Sequence, residues 1–192
     1  MWVTINETGT GTWDDGYWNS TDSNGYITVK FDPDCSPLYD AGYHDWRGGI
    51  DYNDTCYKQI NSTDRNISIK GQLKLYLEKP NYGNVTVVGT PLENRFNVST
   101  DCNEMVNGST TSIEFGSPYG SWESYIPTDE DTGWYNYTLD TSYHLGGYWD
   151  IRINSSMQYY YSNTTTWDDR FFLDNTPPSI TQANVTPTVG KY

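Results

Sequence analysis

The sequence offers little of what helices, membrane spans and metal centres require. No stretch repeats apolar residues at positions i, i+3, i+4 and i+7 over three helical turns, which is the pattern of an amphipathic helix. No apolar run approaches the roughly 20 residues that cross a bilayer. The two histidines lie at no zinc-site spacing from any of the three cysteines. These absences argue against a helical protein, a membrane span and a zinc centre.

Basic residues are also scarce. Eleven Lys and Arg stand against 25 Asp and Glu, which gives a net charge of -14. Such a chain repels nucleic acid and anionic lipid surfaces alike, so neither is an expected partner. The acidic residues fall in short groups, which are either solvated loops or, as the alternative, oxygen ligands for calcium bound between loops. These groups are Asp14 and Asp15, Asp32 and Asp34, Asp129 to Asp131, and Asp168 and Asp169.

Aromatic residues supply much of the apolar material. The chain contains 18 Tyr and 8 Trp, which are residues that suit pleated sheet surfaces. Over residues 67–77, apolar residues or glycine alternate strictly with polar ones, and this is the period of a half-buried β-strand. At about 3.3 Å per residue such a strand would be roughly 36 Å long, so we expect it to border two sheets. The sequence therefore predicts an all-β fold.

Turn residues divide the rest of the chain into further short strands. Seven or eight of them lie within residues 67–173, with Asn107 and Gly108 as a two-residue hairpin signal. That number is typical of an immunoglobulin-like β-sandwich. Before it, residues 26–31 predict one strand, whereas residues 32–54 show none. We predict a smaller disulfide-containing β module over residues 1–65, an immunoglobulin-like β-sandwich over 66–174, and a linker with an intersubunit or next-domain strand over 175–192.

N-glycosylation motifs are the strongest signal in the sequence. Twelve of the 17 asparagines are followed by any residue but proline and then by Ser or Thr. With 40 Ser and Thr among 192 residues, chance would give about 3.5 such triplets. This excess predicts a secreted, densely N-glycosylated protein. The acceptors are Asn6, Asn19, Asn53, Asn61, Asn66, Asn84, Asn97, Asn107, Asn136, Asn154, Asn163 and Asn184.

Strand parity gives an independent test of these sites, because a glycan needs the solvent face of its strand. Several acceptors are out of phase with the apolar residues of their predicted strands. For Asn84, the residues expected to face the core are Val85 and Val87. The acceptors with this outward parity are Asn6, Asn84, Asn97, Asn136 and Asn154.

Three cysteines allow one disulfide bond in an exported protein. Cys35 and Cys56 lie in the same segment rich in Gly and Asp, which has no regular strand of its own. Their pairing is therefore favoured. Cys102 is then left over or joins another chain.

Two short stretches resemble surface-protein repeats. Residues 174–192, DNTPPSITQANVTPTVGKY, are similar to the linker and first strand that join tandem immunoglobulin-like repeats in archaeal and bacterial surface proteins. Residues 21–31, TDSNGYITVKF, resemble the Asp-x-x-Gly hairpin of carboxypeptidase-regulatory-like and related surface repeats. Together with the glycosylation motifs, the resemblance implies part of an archaeal S-layer-like or filament-forming glycoprotein at the cell surface.

The tail has no evident partner strand left in its own chain. Pro177 and Pro178 end the strand before it. The residues beyond them are β-compatible, with Ile180, Val185 and Val189 as apolar positions of an intersubunit strand. Such a strand either opens a further domain or completes the sheet of a neighbouring copy. The second arrangement is a head-to-tail contact, which generates filaments.

The sequence bears on three classes of function. The favoured one is a structural subunit of a glycosylated extracellular filament or surface layer, assembled from copies of itself by β-strand addition. The alternative is a carbohydrate-binding or adhesive module of a larger cell-surface protein. It would bind polysaccharide through tryptophans predicted in loops, which are Trp13, Trp18, Trp46, Trp122 and Trp167.

An enzyme is disfavoured, because the sequence assigns no pair of facing carboxylates and contains no nucleophile or phosphate-binding motif. No catalytic residue, resident metal or organic cofactor is predicted.

Overall fold

The computed structural model describes residues 1–7, 11–36, 39–51 and 56–175. Within these ranges the chain is all-β and contains no helix, which confirms the predicted class. Its strands form three sheets. They are β1 Trp2–Ile5, β2 Tyr17–Trp18, β3 Gly42–Ile50, β4 Ile60–Asn61, β5 Arg65–Ile69, β6 Gly71–Lys79, β7 Asn84–Val87, β8 Leu92–Thr100, β9 Thr110–Gly116, β10 Trp122–Tyr125, β11 Thr128–Asp129, β12 Trp134–Leu139, β13 Gly147–Ser156, β14 Tyr160–Tyr161 and β15 Asn163–Asp174.

The first sheet is built from β1 to β5. Its order is β2-β1-β3-β4, and β5 also pairs with β3. Behind the sheet lies a small buried core of Ile5, Tyr39 and Ile69. Aromatic rings extend this core, since Phe31 packs edge-on against Tyr39 with ring centroids 5.1 Å apart. The sheet is therefore held by a few large rings instead of many aliphatic side chains.

We refer to β1–β5 and the core behind them as the small module, and His44 joins three of its segments. Its side chain is buried. Nδ1 lies 2.8 Å from the carbonyl oxygen of Asn6, and Nε2 lies 2.7 Å from that of Asp40. The ring thereby connects β3 to the residue after β1 and to the residues just before β3.

Strands β6 to β15 form the two sheets of an immunoglobulin-like sandwich. One sheet has the order β10-β9-β13-β15-β7 and the other β11-β12-β8-β6-β14. Alternate side chains of the long strands β8 and β13 point inward, as the period of two requires. These side chains make the main core, which comprises Leu73, Leu77, Leu92, Phe96, Val98, Val106, Ile113, Phe115, Tyr135, Leu139, Trp149, Ile151, Ile153, Phe171 and Leu173.

The long strand predicted over residues 67–77 is two strands. β5 ends at Ile69 and β6 begins at Gly71, with Lys70 between them. The stretch does border two sheets, because β5 belongs to the first sheet and β6 to the sandwich. Gly71 is required at the division, since a Cβ atom there would lie 2.7 Å from the ring of Tyr160.

Residues 26–54 depart from the prediction. Within the described ranges, residues 26–31 form no strand, although Ile27 and Val29 are less exposed than their neighbours. Residues 32–54 contain β3, the central strand of the first sheet. Gly49 allows close approach there, because a Cβ atom would lie 2.7 Å from the carbonyl oxygen of Ile60. The strand is thus defined by its partners and not by an apolar alternation of its own.

The hairpin predicted at Asn107 and Gly108 is also wrong. Met105, just before it, bridges to Ser99 in β8, whereas the residues after it enter β9 in the opposite sheet. The two residues therefore carry the chain from one sheet to the other. An Asn-Gly pair supplies the turn, but the core decides which strands it connects.

Candidate functional site

Cys35 and Cys102 form a disulfide bond. Their Cα atoms are 5.5 Å apart and their sequence separation is 67. The predicted pairing of Cys35 with Cys56 is wrong, and Cys56 lies exposed outside the bond. Cys102 is distant from Cys35 in the sequence, but the fold places it nearby. The backbone amide of its neighbour Asp101 donates to the carbonyl oxygen of Gln72 at 3.0 Å. This contact holds the residues after β8 beside the start of β6, where the first sheet meets the sandwich.

The disulfide therefore joins the small module to the sandwich, and noncovalent contacts surround it. The backbone amide of Gly71 donates to the carbonyl oxygen of Tyr159 at 3.1 Å, and Tyr160 pairs with Gly71 in parallel. The ring of Tyr43, on β3, lies 5.3 Å from that of Tyr159. Strand β14 of the sandwich thus lies against the small module.

Acidic side chains gather around this junction. A cleft of about 170 Å³ beside the disulfide is lined in part by Asp34, Asp40, Asp101 and Glu104. Within the described ranges, however, no three His, Cys, Asp or Glu side chains converge as metal ligands. Calcium binding stays a prediction of the acidic loops.

The predicted glycosylation acceptors differ in exposure. Four are exposed, which are Asn19, Asn61, Asn66 and Asn107. Six are half-buried, which are Asn6, Asn84, Asn97, Asn136, Asn154 and Asn163. Asn53 and Asn184 lie outside the described residues. The exposed acceptors all lie outside the cores of the sandwich and the small module.

The outward parity holds in most strands and fails in β7. Asn97 lies between Phe96 and Val98, which are fully buried, as predicted. In β7, however, Val85 and Val87 are exposed. The cause is the pairing of β7 with β15, in which Asn84 stands beside the buried Phe171. Asn84 therefore shares the inward side of the sheet, and the expected orientation of this strand is wrong.

Asn163 has an unusual position for a glycan acceptor. It follows directly after the chain crosses from β14 in one sheet to β15 in the other. Its side-chain nitrogen Nδ2 donates to the carbonyl oxygen of Leu73, in β6, at 2.7 Å. The atom that would carry a sugar thus links the two sheets.

The sandwich has four edge strands in the described part of the chain. They are β10 and β7 in one sheet and β11 and β14 in the other. Both β11 and β14 are two residues long, whereas β7 has four residues and exposes Val85 and Val87. An edge strand with exposed apolar side chains is a template for another strand. β7 also lies beside Asp174, where β15 ends and the tail begins.

The tryptophans assigned to loops lie mostly in strands. Trp18 is in β2, Trp46 in β3, Trp122 in β10 and Trp167 in β15. Trp13 forms an isolated bridge.

Arginines cover several of the tryptophan rings. The guanidinium carbon of Arg47 lies 4.1 Å from the ring centroid of Trp13, and that of Arg152 lies 4.1 Å from that of Trp122. Such stacking attracts a cation to the ring face. These two rings are therefore occupied by their own chain and offer little to a bound sugar.

Arg95 is the centre of a cluster of charged and aromatic side chains on the outer face of the sheet that contains β8 and β12. It stacks on Trp134 at 4.1 Å and forms ion pairs with Glu78 at 2.8 Å and Glu130 at 2.9 Å. Asn136 also donates to Glu130, at 3.0 Å. The hydrogen bonds from Arg95, and next the one from Asn136, lower the pKa of Glu130 to about 2.

We expect this cluster to make the sandwich lose stability in acid. The ordinary pKa of Glu130 is 4.5 and its folded value is about 2, so its contribution is complete above the first value and is lost as the pH falls towards the second. Arg95→Met should flatten the curve of melting temperature against pH within this window. Lys79→Met, which removes an exposed pair with Glu93, is the control. Parallel curves for wild type and Arg95→Met in acid would contradict the assignment.

A second polar cluster fastens a loop to β10. The hydroxyl of Tyr125 donates to Oε2 of Glu123 at 2.6 Å, and Nε2 of His144 lies 3.1 Å from the same oxygen. The bond from Tyr125 lowers the pKa of Glu123, and it raises the pKa of Tyr125 to about 12. His144 packs against Trp149 with ring centroids 5.0 Å apart. The cluster holds residues 140–146 on the edge strand, which is a structural role.

Across the described ranges, no helix is long and apolar enough to span a membrane.

Comparison with known proteins gives distant structural similarity. No protein-family model matches the chain, and no curated protein matches it. The chain is similar to a tetra-tandem repeat in the extending region of a large adhesion protein, with a TM-score of 0.43 and 14% identity over 90% of this chain. It is also similar to domains 4 and 5 of the S-layer protein SbsC, with a TM-score of 0.33 and 12% identity.

The coverage of these two structures is partial. The match to SbsC spans 71% of this chain and 67% of that one. The chain covers 41% of the adhesion-protein structure, so it spans about two fifths of that fragment's length.

Proposed function

We propose that the chain is a structural subunit of a glycosylated extracellular filament or surface layer, assembled head to tail from copies of itself. The observation that carries the proposal is β7, an edge strand in the described part of the chain, which exposes Val85 and Val87 beside the point where the tail begins. The density of glycosylation motifs supports the extracellular setting. The disulfide bond fits it too, because such bonds persist in oxidising compartments.

The tail of one copy would add a strand to β7 of the next. Main-chain hydrogen bonds along β7 would supply affinity, and the apolar side chains of Ile180, Val185 and Val189 would supply specificity. Val85 stands beside Phe172 of β15, which widens the apolar surface available to an added strand. Donor and acceptor are different surfaces of the same chain, so the contact repeats without closing and produces a filament. The exposed acceptors, such as Asn61 and Asn107, would carry glycans on its outside.

The experiment compares the full chain with a chain that lacks residues 176–192. Light scattering gives the mass in solution, and electron microscopy of the same samples gives the particle shape. The full chain should form filaments and the shortened one should stay monomeric.

A matched pair of point variants tests the acceptor edge. Val85→Lys places a charge on β7, whereas Ile60→Lys places one on β4 of the small module, and both side chains are 64% exposed in the wild type. Only Val85→Lys should abolish filaments. Filaments from the shortened chain would show that the tail is not the added strand. Monomers from both lengths would contradict self-assembly and favour the adhesive alternative.

A further inference from the structure

A cleft at one end of the sandwich has no role in the proposed assembly. It lies where β9 begins, β13 ends and β15 begins, and the connection from β10 to β11 closes one side. Its volume is about 550 Å³, which is within the range of small-ligand sites. Most of its lining side chains end in hydroxyl groups. We refer to it as the hydroxyl cleft and define it by Ser109, Thr111, Ser155, Tyr135, Ile126 and Pro127.

The buried part of the hydroxyl cleft is an ordered chain of hydroxyls. Oγ of Ser109 lies 2.8 Å from the hydroxyl of Tyr135 and 2.9 Å from Oγ1 of Thr111. Oγ1 of Thr111 lies 3.3 Å from Oγ of Ser155. All four residues are more than nine-tenths buried. Each hydroxyl offers one donor and two acceptor positions, so this linked array can also exchange hydrogen bonds with a ligand.

One wall of the hydroxyl cleft is apolar. Ile126 is 87% exposed, and Pro127 beside it is buried. An exposed isoleucine next to a hydroxyl-rich surface gives a ligand two kinds of contact, which are hydrogen bonds on one side and an apolar surface on the other. A pyranose ring has the same two sides, since its hydroxyls project around a face of C–H groups.

The charges exclude anionic ligands. No lysine or arginine lines the hydroxyl cleft among the described residues, and Asp129 is the charged residue that does. The carboxylate of Asp129 accepts from the backbone amides of Gly108 and Asp131, at 3.2 and 2.8 Å. A phosphate or carboxylate would find no cation there, and the net charge of -14 repels it further. The ligand that fits is neutral and rich in hydroxyls.

We propose that the hydroxyl cleft binds a neutral sugar ring. This inference does not depend on self-assembly, and it gives the adhesive alternative a specific site that differs from the arginine-covered tryptophans. The sugar has two possible sources with the same chemistry. One is an N-glycan carried by this chain or by a neighbouring copy, and the other is a polysaccharide from outside.

The test uses the full chain produced in a host that adds no glycans, followed by ¹⁵N NMR. Glucose, galactose, mannose and N-acetylglucosamine are each titrated to about 20 mM, so that a site with a Kd of about 1 mM would be saturated. The amides of residues 109–112 and 155–156 should shift and saturate with at least one of them. Thr111→Val and Ile126→Asp should weaken that binding by about tenfold. Thr166→Val, an exposed change on β15 outside the cleft, is the control and should leave it unaltered.

The results distinguish the protein's own glycan from an external polysaccharide, and they can overturn the proposal. If the same amides are already shifted in the glycosylated protein and added sugar causes no further change, the occupant is the protein's own glycan. If the glycosylated protein still titrates, the occupant comes from outside. No saturable shift with any of the four sugars overturns the proposal, as does binding that Ile126→Asp leaves intact. Because Ile126 is exposed, that variant keeps the test valid even if Thr111→Val fails to fold.

Discussion

Loss of the disulfide bond between Cys35 and Cys102 is expected to lower the free energy of unfolding by about 4 kcal/mol. The bond closes a loop of 67 residues, and the entropy that such a crosslink removes from the unfolded chain corresponds to about this value. The change to make is Cys35→Ser together with Cys102→Ser. Urea unfolding then gives the loss of free energy.

The loss should not be uniform along the chain. The core of the small module has three buried hydrophobic residues, whereas the sandwich core has many more. A module with so little buried apolar area is marginal by itself, so the first sheet should lose hydrogen-exchange protection before the sandwich does. Equal protection of both parts in the double variant would show that the bond does not stabilise the junction.

The matched control for this prediction is Cys56→Ser. Cys56 is exposed and lies outside the disulfide, so its replacement should change the free energy of unfolding by no more than about 0.5 kcal/mol. A loss as large as that of the double variant would mean that Cys56 forms the stabilising bond. The control therefore tests the pairing itself, because the sequence favoured Cys56 as the partner of Cys35.

The sandwich strands were predictable because their pattern is local. β12 spans Trp134–Leu139, as the sequence predicts, since Tyr135 and Leu139 face the core while the residues between them are less buried. Most half-buried strands show their orientation in the alternation of their residues, and β7 is an exception. This is why the all-β class and most strands after residue 66 follow from the sequence alone.

The small module was less predictable because its partners define it. β3 reads GYHDWRGGI, which contains three glycines and no run of β-branched residues. It becomes a strand because β1, β4 and β5 pair with it, and tertiary pairing of this kind overrides propensity. Residues 26–31 show the converse, because Ile27 and Val29 alternate as a strand requires but belong to none of the strands in the described part of the chain. Alternation is thus neither necessary nor sufficient without a neighbour.

The candidate sites also differ in whether a local sequence pattern or the tertiary structure defines them. Glycosylation motifs are contiguous triplets, so the sequence reveals every one of them. Their orientation depends on pairing, which is why Asn84 faces the side of Phe171. The hydroxyl cleft combines residues from β9, β12 and β13 with Ile126 and Pro127, and its serines and threonines resemble ordinary strand or loop residues in the sequence. No local signal could have identified it.

Asn163 is expected to stay unglycosylated in the folded protein, although it lies in one of the twelve motifs. Its Nδ2 atom donates to the carbonyl oxygen of Leu73 on the opposite sheet, and its side chain is half-buried. A sugar on that nitrogen would have to fit beside the 2.7 Å contact with the backbone of β6. Site-by-site mass spectrometry of the glycosylated protein should show the exposed Asn61 occupied and Asn163 empty.

Replacement of Asn163 gives an independent measure of the same contact. Asn163→Ala leaves the carbonyl oxygen of Leu73 without this donor, which should lower the free energy of unfolding by about 1 to 3 kcal/mol. Asn61→Ala removes an exposed acceptor and should change it by no more than about 0.5 kcal/mol. Both are made in unglycosylated protein, so that the difference reports the hydrogen bond and not a lost glycan. A full glycan at Asn163, or equal stability of the two variants, would mean that the amide is not needed to hold the sheets together.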